Sequence, residues 1–221
     1  MLQHLARNGH LDLLKWMITI RRDYLLPTLY VCEEAALCGH LEVLKWARSV
    51  GLAWCKRTCS SAARGGYLDV LQWAWENGCP WDEETCENAA SEGHLGLLKW
   101  ARENGCPWDE ETCASAAKEG RLEVLKWARS SGCPWEEDTC TGAARGGHLE
   151  VLKWARSSGC PWNEDTCAEA ARGGHLDVLK WARANDCPWN SRKCAALAVL
   201  EGDSKVFYWI LENGYVWRWT E

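Results

Sequence analysis

Apolar positions along this chain alternate between two helical patterns. In the stretch Trp81 to Pro107, Thr85, Cys86, Ala89 and Ala90 place small side chains at i, i+1, i+4 and i+5, the narrow apolar face of a short helix, here called helix A. Asp82 is expected to cap it, with Glu83 and Glu84 in the first turn, where the helix dipole favours anions. Gly93 ends it as a residue free to take a positive φ. Helix B follows at once. In the stretch opened by His148 its apolar residues are Leu149, Val151, Leu152, Trp154 and Ala155. That spacing is helical but the stripe is wide, so it predicts a helix facing two neighbours, with the tryptophan in the core. Glu150 and Lys153 fall on the opposite side as an i,i+3 pair worth only about 0.2–0.5 kcal/mol. Gly159 closes helix B, Pro161 cannot continue it, and the next N-cap, Asn163, comes two residues later.

This pair of helices recurs. Gly66, Gly93, Gly120, Gly147 and Gly174 are spaced 27 residues apart, and Trp46, Trp73, Trp100, Trp127, Trp154 and Trp181 keep the same step. A second tryptophan series, Trp54, Trp81, Trp108, Trp135, Trp162 and Trp189, runs in phase in the loops. A fixed period of this size marks a stacked array, in which each unit buries its oily side against the next. Units turning near Gly9, Gly39, Gly66, Gly93, Gly120, Gly147, Gly174 and Gly202 predict about eight helix–turn–helix repeats in a single domain over 1–221. The edges depart from the pattern. The first step is 30, with three extra residues between Thr19 and Val31, and the last is 28, with an insertion after Cys194. Met1 stands in the Thr slot without a preceding cap, and the chain ends at Trp217-Arg218-Trp219 just after its last helix B. Ends without the usual polar caps lead us to expect end-to-end self-association or a longer parent chain.

Composition narrows the function. A balance of 25 basic against 31 acidic residues, net -6, argues against a duplex nucleic-acid partner. No apolar run approaches the roughly 20 residues of a membrane span, and Arg7 and His10 interrupt the N-terminal apolar stretch, which is therefore not a signal peptide. Fourteen cysteines invite a disulfide reading. Eleven of them form two 27-step series, six from Cys59 to Cys194 in helix A and five from Cys79 to Cys187 in the loops. Were each loop cysteine bonded to the helix cysteine seven residues later, Cys59 would lose its partner, because Leu52 occupies that loop slot. A slot that takes Leu or Cys reads as small apolar packing, so reduced thiols are expected. They point to an intracellular, reducing compartment, first the cytoplasm and second the nucleus.

The string Ala170-Ala171-Arg172-Gly173-Gly174-His175-Leu176-Asp177-Val178-Leu179-Lys180 resembles the A-A-x-x-G-H-L-x-V-V-x core of ankyrin repeats. Gly159-Cys160-Pro161-Trp162-Asn163 is similar to that family's G-A-D-V-N, and Cys167 falls where its T-P-L-H motif has Leu. The likeness covers nearly the whole chain. The repeat is shorter, 27 residues against about 33, and the missing residues correspond to the β-turn finger. The resemblance implies an all-α, ankyrin-like α-solenoid with stubby loops, and a partner surface on the side lined by helix A.

His10, His40, His94, His148 and His175 each follow a turn glycine, and Tyr67 and Arg121 fill the same slot; such exchange favours turn hydrogen bonding over catalysis. No C-x-x-C or H-x-x-x-H cluster marks a metal site, and none is expected. The acidic trios Asp82-Glu83-Glu84, Asp109-Glu110-Glu111 and Glu136-Glu137-Asp138 sit where helix starts attract negative charge. With no nucleophilic triad, phosphate loop or nucleotide fingerprint, the chain reads as a non-enzyme without cofactor. The loop tryptophans are expected to cover the edges between units. What varies from unit to unit is helix A. Ser60, Ser61, Arg64, Glu87, Asn88 and Ser91 vary in the first half, and Ser115, Lys118, Thr141, Arg145, Glu169 and Arg172 in the second. These are the expected contacts of a partner protein, with Arg64, Arg145 and Arg172 attracting an acidic one. The outer row of helix B, Lys126, Arg129, Lys153, Arg156, Lys180 and Arg183, reads as a solvated face. Two alternatives remain: single-stranded nucleic-acid binding through the tryptophans and this basic row, or a structural spacer within a larger protein.

Overall fold

The structure, a computed structural model, describes residues 1–20 and 29–214, and every regular element among them is a helix. It divides into two compact units, Met1–Trp108 and Asp109–Glu221. In the first, the A and B helices pair as α1 (Leu2–Arg7) with α2 (Leu11–Ile20), α3 (Leu29–Leu37) with α4 (Leu41–Ser49), α5 (Lys56–Gly65) with α6 (Leu68–Glu76), and α7 (Glu83–Glu92) with α8 (Leu95–Glu103). The second repeats the scheme with α9 (Glu110–Lys118) and α10 (Leu122–Ser130), α11 (Glu137–Arg145) and α12 (Leu149–Ser157), α13 (Glu164–Arg172) and α14 (Leu176–Ala184), and α15 (Ser191–Leu200) and α16 (Ser204–Gly214). The extra residues expected between Thr19 and Val31 fall mostly outside the described residues, and Trp217–Trp219 lie wholly outside them.

Each unit is an α-solenoid built on helix-A contacts. α1 packs on α3, α3 on α5 and α5 on α7; α9 packs on α11, α11 on α13 and α13 on α15. Small side chains make this close approach possible: Thr85, Cys86, Ala89 and Ala90, the expected narrow face, are all fully buried. Helix B adds the large residues. Leu44, Leu71 and Leu98 in the first unit, and Leu125, Leu152 and Leu179 in the second, are inaccessible to solvent, each flanked by a buried Val or Leu and a buried Ala.

Both helices of a repeat end in the same way. His94 N–H donates to Ala89 O at 2.8 Å and Gly93 N–H to Ala90 O at 3.2 Å; after helix B, Cys106 N–H donates to Ala101 O at 2.9 Å and Gly105 N–H to Arg102 O at 3.1 Å. These paired bonds satisfy carbonyls the helix leaves open, and they require the left-handed backbone at Gly93 (φ 85°) and Gly105 (φ 84°). The two turns nevertheless differ. A Cβ added to Gly147, between the A and B helices, would lie 2.5 Å from the ring of His175, whereas one added to Gly159, after helix B, would meet nothing within 4 Å.

The histidine slot explains that difference. Hydrogen bonding was expected within the turn, but the bonds reach one repeat back. His40 Nε2 donates to Arg7 O at 3.0 Å, His94 Nε2 to Arg64 O at 3.2 Å and His175 Nε2 to Arg145 O at 3.1 Å. Each ring thus closes an open carbonyl at the end of the preceding helix A while lying over that repeat's turn glycine. Tyr67 takes the same place over Gly39.

Two expectations need correction. Asp82 occupies the N-cap position, yet its side chain makes no capping bond, because Lys56 draws the carboxylate into an ion pair at 2.5 Å. Asp109 and Asn163 do cap, accepting from Glu111 N–H at 3.1 Å and Asp165 N–H at 2.9 Å. The helix-B tryptophans are not core either. Both tryptophan series are half-buried throughout, since the fully enclosed positions of helix B are already taken by Leu, Val and Ala.

Candidate protein-interaction face

The helix-A row carries the variable residues, and the structure sorts them. Ser60 is buried, 3% exposed, and its hydroxyl donates to Arg57 O at 3.4 Å, so it offers nothing to a partner. Ser61, Glu87, Asn88 and Ser91 in the first unit, and Ser115, Thr141, Glu169 and Arg172 in the second, are half-buried; Arg64, Lys118 and Arg145 are exposed.

The charged members are joined across repeats. Arg64 pairs with Glu92 at 3.6 Å in the first unit, and Arg145 and Arg172 both reach Glu169, at 3.7 and 3.3 Å, in the second. These pairs are asymmetric. Arg145 is 54% exposed against 17% for Glu169, Arg64 63% against 38% for Glu92, and Arg57 58% against 11% for Glu33. In these pairs the carboxylate is recessed between repeats and the cation stands outward, so each pair presents its positive end. Pairs this exposed contribute about 0–1 kcal/mol each, which leaves the guanidinium groups free to exchange partners at little cost. Arg57 and Lys56 were missed in the sequence. The signal was present: opposite charges one period apart, as in Lys56 with Asp82 and Arg7 with Glu34. The hydrogen bond to Asp82 also holds the Lys56 ammonium above its ordinary pKa.

The helix-B row behaves differently from the solvated face expected. Arg129, Arg156 and Arg183 lie flat over the loop indoles Trp135, Trp162 and Trp189, 4.2, 4.2 and 4.6 Å from the ring centroids. Each also donates to the carbonyl of the loop cysteine, Arg129 Nη1 to Cys133 O at 2.6 Å and likewise Arg156 to Cys160 and Arg183 to Cys187. The loop indole then meets the helix-B indole of the next repeat edge-on, Trp135 with Trp154 at 5.8 Å and Trp162 with Trp181 at 5.9 Å. One repeat supplies its own control. Where the arginine is replaced by Trp75, that indole stacks on Trp81 at 5.5 Å with the rings 28° apart. The slot demands a flat group over the loop tryptophan. Lys126 and Lys153 pair with Glu123 and Glu150 at 2.8 and 2.7 Å. In the second unit Lys153, Arg156, Ser157, Trp162, Trp181 and Asn185 line an open groove of about 290 Å3.

No family model matches the sequence, and no curated protein matches it. The fold does have a solved counterpart. The ankyrin repeat domain of human ASB11 superposes with a TM-score of 0.60 over 82% of this chain and 96% of that one, at 18% sequence identity. The fold is ankyrin-like. At that identity the likeness speaks for architecture alone: stacked helix pairs, here without any strand among the described residues. Among the described residues of this ankyrin-like chain no three His, Cys, Asp or Glu side chains cluster as metal ligands, and no helix is long and apolar enough to cross a membrane.

Proposed function

We propose that the chain is a non-catalytic scaffold that holds a partner protein against its helix-A face, and that the partner presents an acidic segment there. Folds of this kind generally serve protein–protein interaction. The observation that carries the reading is the asymmetry of the inter-repeat ion pairs, with Arg145 and Arg172 outward and Glu169 recessed beneath them. A partner carboxylate there would gain a bidentate guanidinium contact while Glu169 keeps the arginines aimed. Within the second unit, Ser115, Lys118 and Thr141 supply the rest of a footprint that, at about 20–30 residues a side, spans several repeats. Reduced thiols throughout favour a reducing, intracellular compartment for this work.

Single-stranded nucleic acid is the second reading, and the groove at Trp162 and Trp181 is where it would act. Base stacking needs a free indole face, yet Trp162 is covered by Arg156 on one side and met by Trp181 at its edge. This favours the protein partner. Capture of proteins from native cell extract, quantified by mass spectrometry, tests the choice of face. Arg145→Gln plus Arg172→Gln is expected to abolish the captured set, while Lys153→Gln plus Lys180→Gln, equal in charge change, retains it. Equal capture by both variants would remove the helix-A face from consideration.

A further inference from the structure

In the second unit the A helices end in register. A Cβ added to Gly146 would clash with Lys118 O, and one added to Gly173 would lie 2.7 Å from Arg145 O, so each helix end abuts the next. The last residue of each A helix therefore forms a column: Lys118 of α9, Arg145 of α11, Arg172 of α13 and Leu200 of α15. Each stands two places before its turn glycine, Gly120, Gly147, Gly174 or Gly202. Glu169 reaches both arginines, at 3.7 and 3.3 Å, which makes their guanidinium groups neighbours across one joint. Three cations are thus followed by an apolar group in the open: Leu200 is 78% exposed, and Val199 beside it 57%. The acidic residues of this edge stand at its two ends. Glu119 lies 3.9 Å from the Lys118 ammonium, and Glu201 follows Leu200 as the C-cap of α15; between them the same place is held by Gly146 and Gly173, which carry no charge.

The step of such a column selects a partner conformation. Packed helices lie about 8–10 Å apart. A polyproline II chain rises about 3.1 Å per residue with three residues to the turn, so every third side chain points the same way at intervals of about 9 Å. A β-strand repeats a face at about 7 Å, which falls short of the next helix. Resting on the reading of the helix-A face as the seat of an acidic partner, we propose that the acidic segment is a polyproline II stretch laid across the ends of α9, α11, α13 and α15. Carboxylates at every third residue meet Lys118, Arg145 and Arg172, and a large apolar side chain three residues further covers Leu200. A guanidinium that keeps one N–H towards Glu169 still has others to give to an incoming carboxylate. The polyproline II backbone leaves its amides to water, which suits a face built of helix ends and side chains. Its stiffness also lowers the entropy lost on binding. Covering Leu200 removes apolar surface from water, the one contact in the column that salt would not weaken.

Fluorescence anisotropy of labelled peptides with the full chain at low salt tests the register. The peptide Glu-Pro-Pro-Glu-Pro-Pro-Glu-Pro-Pro-Leu, or the same order reversed, is expected to bind about tenfold more tightly than two isomers of equal charge. These are Glu-Pro-Glu-Pro-Glu-Pro-Pro-Pro-Pro-Leu and Glu-Pro-Pro-Pro-Glu-Pro-Pro-Pro-Glu-Leu, with carboxylates at every second and every fourth residue. Arg145→Gln should weaken the favoured peptide about tenfold, and Leu200→Ser about threefold. Leu200→Ser should not change the affinity of a peptide whose Leu is replaced by Ser. Equal affinity for the three isomers would overturn the register and leave the acidic-partner reading standing. A chain that holds none of them would overturn the proposal, and capture from cell extract then decides the helix-A face by itself. Indifference of the favoured peptide to Leu200→Ser would overturn the fourth contact.

Discussion

In the repeats α11–α12 and α13–α14 both faces carry the same residue, arginine, in different employment. On helix A, Arg145 and Arg172 stand outward over a recessed Glu169. On helix B, Arg156 is laid on an indole and tied to a loop carbonyl. A count of basic residues would treat both rows as surface charge. The difference is made by what lies within reach: a carboxylate that can be exchanged for another, or a flat ring and a backbone acceptor that nothing in solution replaces as well. The helix-B arginines are fixed on groups of the protein itself, whereas the helix-A arginines keep much of their surface in solvent.

The turns are the strongest place to break that comparison. The turn leading out of helix A is closed by the next repeat's histidine, and the turn leading out of helix B is open. Gly147→Ala (φ 75°, with the His175 ring 2.5 Å from the new Cβ) should therefore cost about 3 kcal/mol in urea unfolding, and Gly159→Ala (φ 85°, no neighbour) about 1 kcal/mol. Equal costs would mean that the histidine does not lock the stack.

Alkaline pH probes helix A from the inside. Burial pushes the thiols of Cys32 and Cys194 from 9.0 to about 11. The unfolded chain releases these protons near pH 9 while the folded chain retains them, so their contribution is complete below pH 9 and is lost as pH rises towards 11. A loss of about 2 kcal/mol per thiol is expected over that window, and Cys32→Ala plus Cys194→Ala should flatten the profile.

The helix-B clamp predicts a smaller effect with a particular rank. Arg156→Ala removes a cation–π contact and a hydrogen bond and should cost about 1–2 kcal/mol. Arg156→Trp should cost less, because Trp75 already fills the equivalent slot against Trp81. The smallest change is a gain. Asp186 takes φ 61° where the five preceding repeats have Gly51, Gly78, Gly105, Gly132 and Gly159, so Asp186→Gly should stabilise the chain by about 1 kcal/mol in the same assay.

Much of this was legible in the sequence. The period, the small face of helix A, the glycine at each helix end and the Glu150–Lys153 pair all rest on interactions within one repeat, and local spacing reveals those. What the sequence hid depends on neighbours one repeat away. The diversion of Asp82 to Lys56, the reach of His175 to Arg145 O and the burial of Ser60 all follow from stacking. The place of the loop cysteines was hidden for a related reason: helix B folds back and brings the loop of Cys79 to Cys59, twenty residues earlier, whose thiol donates to Cys79 O at 4.0 Å. The tryptophans misled because a wide apolar stripe does not say which of its members is enclosed.

Equilibrium urea unfolding of two double variants tests the division of labour most directly. Arg145→Ala plus Arg172→Ala should lower the unfolding free energy by about 1 kcal/mol or less, leaving only Glu169 short of a partner. Arg156→Ala plus Arg183→Ala should lower it by about 2–4 kcal/mol. If the two pairs cost the same, the arginines of both faces do the same job, and the account is wrong.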